Sequence, residues 1–397
     1  MATKFADRMQ TVHRSFIREI LKVTEDPSII SFAGGLPNPE LFPVEAMRKA
    51  ASDVLAESGK EVLQYSTTEG YQPLRKFIAD RYKSEKGIEV DPEDILLTTG
   101  SQQCLDLLGK VFLNSGDRVI IERPGYLGAI QSFSFFQPEF VTVGFENDGP
   151  DLNELEKILA MDKVKMFYAV PNFQNPSGLT YSAEKRKAVA ELMAESDTLF
   201  IEDDPYGELR FMGEHQTPLS KGYLKDNCVL LGSFSKIAAP GFRLGWVVAE
   251  SEVRDKLVIA KQASDLHTST VSQRIMYRFM KDNDIDAHIE KIRERYRRQR
   301  ETMVECIEKY FPEGVEITKP EGGMFLWITL PEGMSSMDLL DTAVAHKVAF
   351  VPGRPFYVDG SGENTFRLNF SNSDEEHIEE GIKRMADCLK DFFSAKK

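Results

Sequence analysis

Residues 228–248 read CVLLGSFSKIAAPGFRLGWVV. An apolar run, Cys228–Leu231, breaks into a loop of Gly, Ser and Ala, and a second apolar run, Leu244–Val248, follows. Short apolar runs bounded by Gly and Pro predict two buried strands rather than one helix. Between them stands Lys236, with Arg243 further along the same loop. A solvated lysine needs no such setting. Gly232, Gly241 and Gly245 let the backbone approach another group closely. Ser233 and Ser235 add hydroxyls, and Arg243 adds a fixed cationic fork suited to phosphate or carboxylate. A lysine beside that cradle can hold the same ligand covalently, as an imine, when the ligand carries a carbonyl. A strand-end loop with a surface lysine is the plain alternative at this point.

Working outward, further short apolar runs predict strands at Ile95–Thr99, Arg118–Ile121, Phe140–Val143, Met166–Val170 and Leu199–Glu202. Amphipathic stretches lie between several of them, such as Ser101–Leu113 and Ala183–Ser196, the second opening on Ser182 as an N-cap. This alternation predicts an α/β chain with a mostly parallel sheet covered by helices on both faces. Ile285–Tyr310 is charged and free of Gly and Pro, which predicts one long helix. Its basic run, RERYRRQR, reads as a solvated or domain-bridging face. Strand-like FLWITL, VAFV and TFRLNF follow, then an amphipathic helix near Asp374–Phe393, a block that reads as a smaller α+β domain.

A length of 397 residues exceeds one small core and predicts about two domains. The division expected is an N-terminal segment over 1–40, a large domain over 41–283 and a small domain over 284–397. The net charge of −14 argues against a broad nucleic-acid footprint. No run approaches the roughly 18 apolar residues of a membrane span, and the start, MATKFADRMQ, lacks a signal-peptide core. The expectation is a cytoplasmic protein. Cys104, Cys228, Cys306 and Cys388 stand far apart, which predicts free thiols rather than a disulfide framework. No H-E-x-x-H or Cys-His cluster suggests zinc, so no metal is expected. Dinucleotide and P-loop glycine patterns are absent as well.

Other motifs carry chemistry. In TTGSQQCLDLL, residues 98–108, a strand gives way to a helix whose first residues include Ser101 and Gln102. Exposed N–H groups at such a start attract anions, although an ordinary turn with a serine N-cap reads the same way. In PNFQNPSGLTYS, residues 171–182, Asn175 sits in a dense turn after a strand, where open α/β sheets bind ligands. FIEDDPYGELRF, residues 200–211, ends a strand on two acids followed by Tyr206. A buried acid there needs a partner, and a protonated ring nitrogen is one. Arg367 interrupts the apolar strand TFRLNF, where a substrate carboxylate or an exposed sheet edge would satisfy it.

Taken in order, these motifs resemble those of the pyridoxal-phosphate-dependent aminotransferases of fold type I, class I/II. The likeness is nearest to enzymes acting on 2-aminoadipate, kynurenine, aromatic and branched-chain amino acids. It is carried by ISFAGGLPNPELFP, QYSTTEGYQPLR, TTGSQQ, PNFQNPSG, EDDPYGEL, GSFSKIAAPGFRLGW, PEGGMFLW and FRLNFS, and spans nearly the whole chain. The resemblance implies a three-layer αβα large domain and a smaller α+β domain. It implies pyridoxal 5'-phosphate joined to Lys236, with Asp203 on the pyridine nitrogen. Tyr206 and Asn175 would hold the phenolic oxygen, and Ser101, Gln102, Ser233, Ser235 and Arg243 the phosphate. Tyr126 would stack on the ring. Tyr65 would reach the phosphate of a neighbouring subunit, making a homodimer with shared sites. Arg367 would grip the substrate α-carboxylate, with Asn175, Gly35 and Arg18 near the substrate. One departure stands out: Ile237-Ala238-Ala239 follows the lysine where near relatives often carry Thr-Leu.

The activity implied is transfer of an amino group from a 2-amino acid to 2-oxoglutarate by a ping-pong mechanism. A β-lyase or decarboxylase would use the same cradle. A regulatory module on this fold needs an added DNA-binding segment, and the aminotransferase pattern here begins by about residue 15.

Overall fold

A computed structural model describes residues 4–10, 12, 16, 20 and 26–395 of the chain. Its main sheet is built from β1 (Ile95–Thr98), β2 (Arg118–Arg123), β3 (Glu139–Glu146), β4 (Gly149–Pro150), β5 (Val164–Ala169), β6 (Leu199–Asp203), β7 (Cys228–Ser233) and β8 (Gly245–Val248). The order across it is β1-β8-β7-β6-β5-β2-β3-β4. From β7 to β3 every pairing is parallel. β8 runs antiparallel between β7 and β1, and β4 folds back on β3.

Side chains along the central strands β2, β5 and β6 alternate between two cores with the two-residue period of a pleated sheet. Val119, Met166, Tyr168 and Ile201 enter one apolar core. Ile120, Phe167, Ala169 and Phe200 enter the other. The first core is closed by helices Ser101–Phe112, Leu127–Ser134 and Ser251–Ser264, through residues such as Leu105, Phe133 and Leu257. The second is closed by Leu152–Leu159 and Ala183–Ala194, through Leu155 and Val189. Burial on both faces makes three αβα layers, and it explains why the strands read as unbroken apolar runs. Ser182 caps its helix as expected, accepting from the Lys185 N–H at 3.1 Å.

All seven predicted strands are present, with shifted ends. β2 continues through Glu122 and Arg123, β6 through Asp203, and β7 through Gly232 and Ser233. Backbone pairing with a neighbour, not side-chain polarity, decides where a strand stops. These polar overhangs point to the carboxyl end of the sheet.

The second sheet contains β9 (Glu316–Ile317), β10 (Phe325–Thr329), β11 (Val351–Pro352) and β12 (Thr365–Asn369), ordered β9-β10-β12-β11 and antiparallel throughout. The helix Ile285–Tyr310 buries a stripe of Ile285, Ile289, Ile292, Tyr296, Met303 and Ile307 at helical spacing. Its basic run is engaged within the chain. Arg293 donates to the Glu208 carbonyl, Arg295 meets Glu375 at 2.9 Å, and Arg300 donates to the Pro320 carbonyl. Near the start, Ile30–Ser31 pairs in parallel with Val348–Ala349. All four cysteines are buried and unpaired. Among the described residues, no helix is long and apolar enough to cross a membrane.

Candidate active site

A cavity of about 240 Å³ opens at the carboxyl ends of the parallel strands, and Lys236, Asp203 and Arg367 converge on it. This is where open α/β sheets place ligands, because loops there leave backbone groups and side chains free to face a crevice. Gly35 brings the N-terminal segment to the same cavity.

Lys236 extends from the loop after β7, and its Nζ donates to the Gly35 carbonyl at 2.9 Å. Burial pushes its ammonium down to about 8, and the charges of Arg367 and Arg243 push the same way. Asp203 is the last residue of β6. Its Oδ2 accepts from the Tyr168 hydroxyl at 2.7 Å. Its Oδ1 is buried and has no hydrogen-bond partner among the described residues. Burial pushes the carboxyl up to about 7; the Tyr168 bond opposes the rise and the charge of Asp204 adds to it. The adjacent acid turns away: Asp204 accepts from Asn172 Nδ2 at 2.8 Å and lies 3.7 Å from Lys86 Nζ.

Ser101 and Gln102 begin the helix after β1. The N-cap is Gly100, which has no side chain to satisfy the helix's first N–H groups. The expectation of a serine cap fails here because Ser101 already lies inside the first turn. Gly100 has φ +74°, and a Cβ there would stand 2.6 Å from the Arg243 guanidinium. A Cβ at Gly245 would stand 2.6 Å from the Ser101 nitrogen. Two glycines therefore let β8, the Arg243 loop and a helix start crowd into one cationic corner. Ser233 and Ser235 join it, the Ser235 N–H donating to Ser233 Oγ at 3.1 Å. Gln102 lines the cavity and donates through Nε2 to the Gly128 carbonyl at 3.0 Å.

Arg367 lies within β12, between β10 and β11, and is 1% exposed, so the edge-strand alternative does not hold. Its NH1 donates to Asn175 Oδ1 at 2.7 Å and its NH2 to the Ala33 carbonyl at 2.8 Å. Phe325 lies under the guanidinium, 4.3 Å from ring centroid to carbon. Nε is buried without a partner among the described residues, and burial pulls the group down to about 10. Asn175 Nδ2 donates to the Tyr206 hydroxyl at 3.4 Å, which brings Tyr206 into the same network. Tyr126 enters from the loop after β2. Behind these residues, Gln174 donates to Glu122 and to the Pro124 carbonyl, tying the Asn175 loop to the Tyr126 loop.

One predicted residue among those described, Tyr65, does not line the cavity. Tyr65 is 79% exposed, its ring edge-on to His267 at 5.8 Å. Arg18 lies outside the described residues. Conversely, Tyr168, Val170, Pro205 and Pro240 line the cavity unforeseen. Of these, Tyr168 had a signal in principle, a hydroxyl inside the apolar run Met166–Val170.

An orphaned, buried carboxylate oxygen calls for a cationic N–H, and the glycine-cleared corner of hydroxyls, helix N–H groups and arginine calls for an anion. Pyridoxal phosphate carries both on one ring. A model of the family described as aminotransferase class I and II matches residues 29–385. The chain belongs to this family. It is 44% identical to the aromatic-amino-acid aminotransferase 1 of Thermococcus litoralis, covering 98% of this chain and 94% of that protein. It is also 44% identical to the 2-aminoadipate transaminase of Thermus thermophilus, covering 98% and 96%. Among solved structures it is similar to LysN, the α-aminoadipate aminotransferase of Thermus thermophilus complexed with N-(5'-phosphopyridoxyl)-L-leucine. That likeness has a TM-score of 0.92 at 41% identity over 98% of each chain. This aminotransferase is therefore an enzyme with the α/β architecture of fold type I.

Proposed function

We propose that the protein is a pyridoxal-phosphate-dependent aminotransferase. It moves the amino group of a 2-aminoadipate, aromatic or branched-chain type 2-amino acid to 2-oxoglutarate, in a ping-pong sequence. The observation that carries this reading is the unpartnered Asp203 Oδ1 in the same cavity as a lysine buried to a near-neutral pKa. When bound, pyridoxal phosphate supplies an aldehyde that takes up the amino group and a cationic ring that accepts the electron pair left on the substrate carbon.

The chain's own residues do the rest. Ser101, Gln102, Ser233, Ser235 and Arg243 hold the phosphate end, and the free N–H groups after Gly100 add helix-start donors. Asp203 Oδ1 accepts the ring N–H and keeps that proton in place. Tyr206 and Asn175 Nδ2 would hold the phenolic oxygen, and Tyr126 would stack on the ring. Arg367 takes the substrate carboxylate, its orientation fixed by Asn175 Oδ1 and the Ala33 carbonyl. Lys236 would anchor the cofactor, and its Nζ, as the uncharged amine, would take the proton from the substrate Cα. A pKa near 8 leaves a useful uncharged fraction at neutral pH.

Tyr65, exposed in one copy of the chain, serves the phosphate of a second copy in a homodimer with shared sites. Arg18 and Gly35 border the substrate. The chain divides into a segment over 1–40, a cofactor-binding domain over 41–283 and a small domain over 284–397 that carries Arg367. Four unpaired thiols suit a reducing cytoplasm.

A panel of amino acids tested with and without 2-oxoglutarate checks the reading. Transfer gives one equivalent of 2-oxo acid per site without acceptor, and sustained turnover only with it. Continuous release of ammonia or carbon dioxide without an acceptor would instead establish a lyase or decarboxylase.

A further inference from the structure

We propose that Tyr168 is a positioning residue for Asp203, fixing which carboxylate oxygen faces the ring nitrogen and biasing that carboxylate toward its ionised form. The proposal rests on the role given to Asp203 above. It begins with strand register. β5 and β6 are parallel neighbours with Tyr168 opposite Ile201. Asp203 lies two residues beyond Ile201 and so shares the Tyr168 face of the sheet. An aromatic side chain spans that diagonal. The Tyr168 hydroxyl meets Oδ2 at 2.7 Å, leaving Oδ1 to the cavity.

The tyrosine is itself held in place. It is 1% exposed. Phe133 stands edge-on to its ring at 6.1 Å, and Tyr126 lies nearly parallel at 6.5 Å. The carboxylate therefore has one oxygen engaged by an immobile donor. Rotation about its Cβ–Cγ bond would break that bond in a buried site. The bond also opposes the burial that drives Asp203 toward neutrality, while burial and the Asp203 charge keep the Tyr168 proton on its oxygen. Asp204 is the other charged group that bears on Asp203, and its charge favours the neutral form. With Asp204 set against it, Tyr168 is the group that favours the ionised form before any cofactor binds.

Tyr168→Phe removes one oxygen and keeps the ring contacts, so the strand and its packing survive. In cofactor-free protein, carboxyl infrared difference spectra, with Asp203→Asn as the blank, read Asp203 ionisation directly. The expected midpoint rises by about 1–2 pH units in Tyr168→Phe, the loss of a hydrogen bond to a charged group. An unchanged or lower midpoint overturns the proposal. On reconstituted enzyme, kcat should fall by at least ten-fold with KM little changed, and the affinity for pyridoxal phosphate should weaken. In the Asp203→Asn background, Tyr168→Phe should leave that affinity unchanged. An equal loss there would mean that the tyrosine acts by packing alone. A near-normal rate in Asp203→Asn would instead defeat the role of Asp203, whatever the infrared midpoint of the cofactor-free protein shows.

Discussion

Asparagine in place of Asp203 should make the cofactor-free protein more stable at neutral and alkaline pH. In the folded chain the carboxyl titrates at about 7, against 3.8 as its ordinary value. The gap of about 3 units corresponds to about 4 kcal/mol. Its sign follows from proton binding. Below about pH 4 both folded and unfolded chains hold the proton, and the group contributes no difference. Between about 4 and 7 the unfolded chain has released it while the folded chain keeps it, so stability falls as pH rises. Above about 7 both are ionised and the full penalty stands. Asparagine has nearly the same shape, can still accept from Tyr168, and never ionises. Urea denaturation of cofactor-free protein between pH 4 and pH 8 should show wild type and Asp203→Asn converging at the acid end. The gap should open to as much as about 4 kcal/mol at pH 8. Saturating pyridoxal phosphate should reverse the order, because a cation at Oδ1 stabilises only the carboxylate. A pH-independent gap, or a less stable variant at pH 8, would refute the assignment of a strained, waiting acid.

Other expectations follow from the same geometry. Cofactor-free protein should take up pyridoxal phosphate faster as pH rises through about 8, because Lys236 reacts as the uncharged amine; stopped-flow absorbance checks this, and a flat profile from pH 7 to pH 9 counts against the lysine. Lys236→Ala should show no turnover and no mass added by borohydride reduction, and measurable transfer in it would remove the proton-carrying role. Gly100→Ala forces a side chain to within 2.6 Å of Arg243 at a φ of +74°; cofactor affinity should drop by about ten-fold or more, and a wild-type titration would show that this corner does not hold the phosphate. Arg367→Gln should cost about 2–5 kcal/mol in kcat/KM for amino acids, while an amine lacking a carboxylate should lose little; equal losses on both would place the arginine elsewhere in the chemistry.

Much of this was legible beforehand. The strand cores of the large sheet are plain in the sequence because burial on both faces leaves no polar position to interrupt them. Their ends are not, since Glu122, Asp203 and Ser233 continue ladders that side-chain patterning treats as finished. The cavity gathers most of the residues that the motifs singled out, because most of those motifs follow strands of the main sheet whose carboxyl ends share one edge, while Arg367 arrives from within β12 of the second sheet. Tyr168 was hidden. Its partner is set by the register of β5 against β6, and no local pattern encodes a register between strands that are far apart in the chain.

The amino-acid sequence alone determined the alternation of strands and helices, the inventory of lysine, acid, arginine and hydroxyls, and their order along the chain. Periodicity and residue type are local properties, and the chain carries them unfolded. Tertiary structure decided which acid of the pair meets the cavity and which meets Lys86, that Arg367 lies inside a sheet rather than at its edge, and that Lys236 and Asp203 both sit near neutrality. A protonation state and an unpaired oxygen depend on what surrounds a group and on how much water has been removed from it. Those surroundings exist only once residues from distant parts of the chain have closed around it.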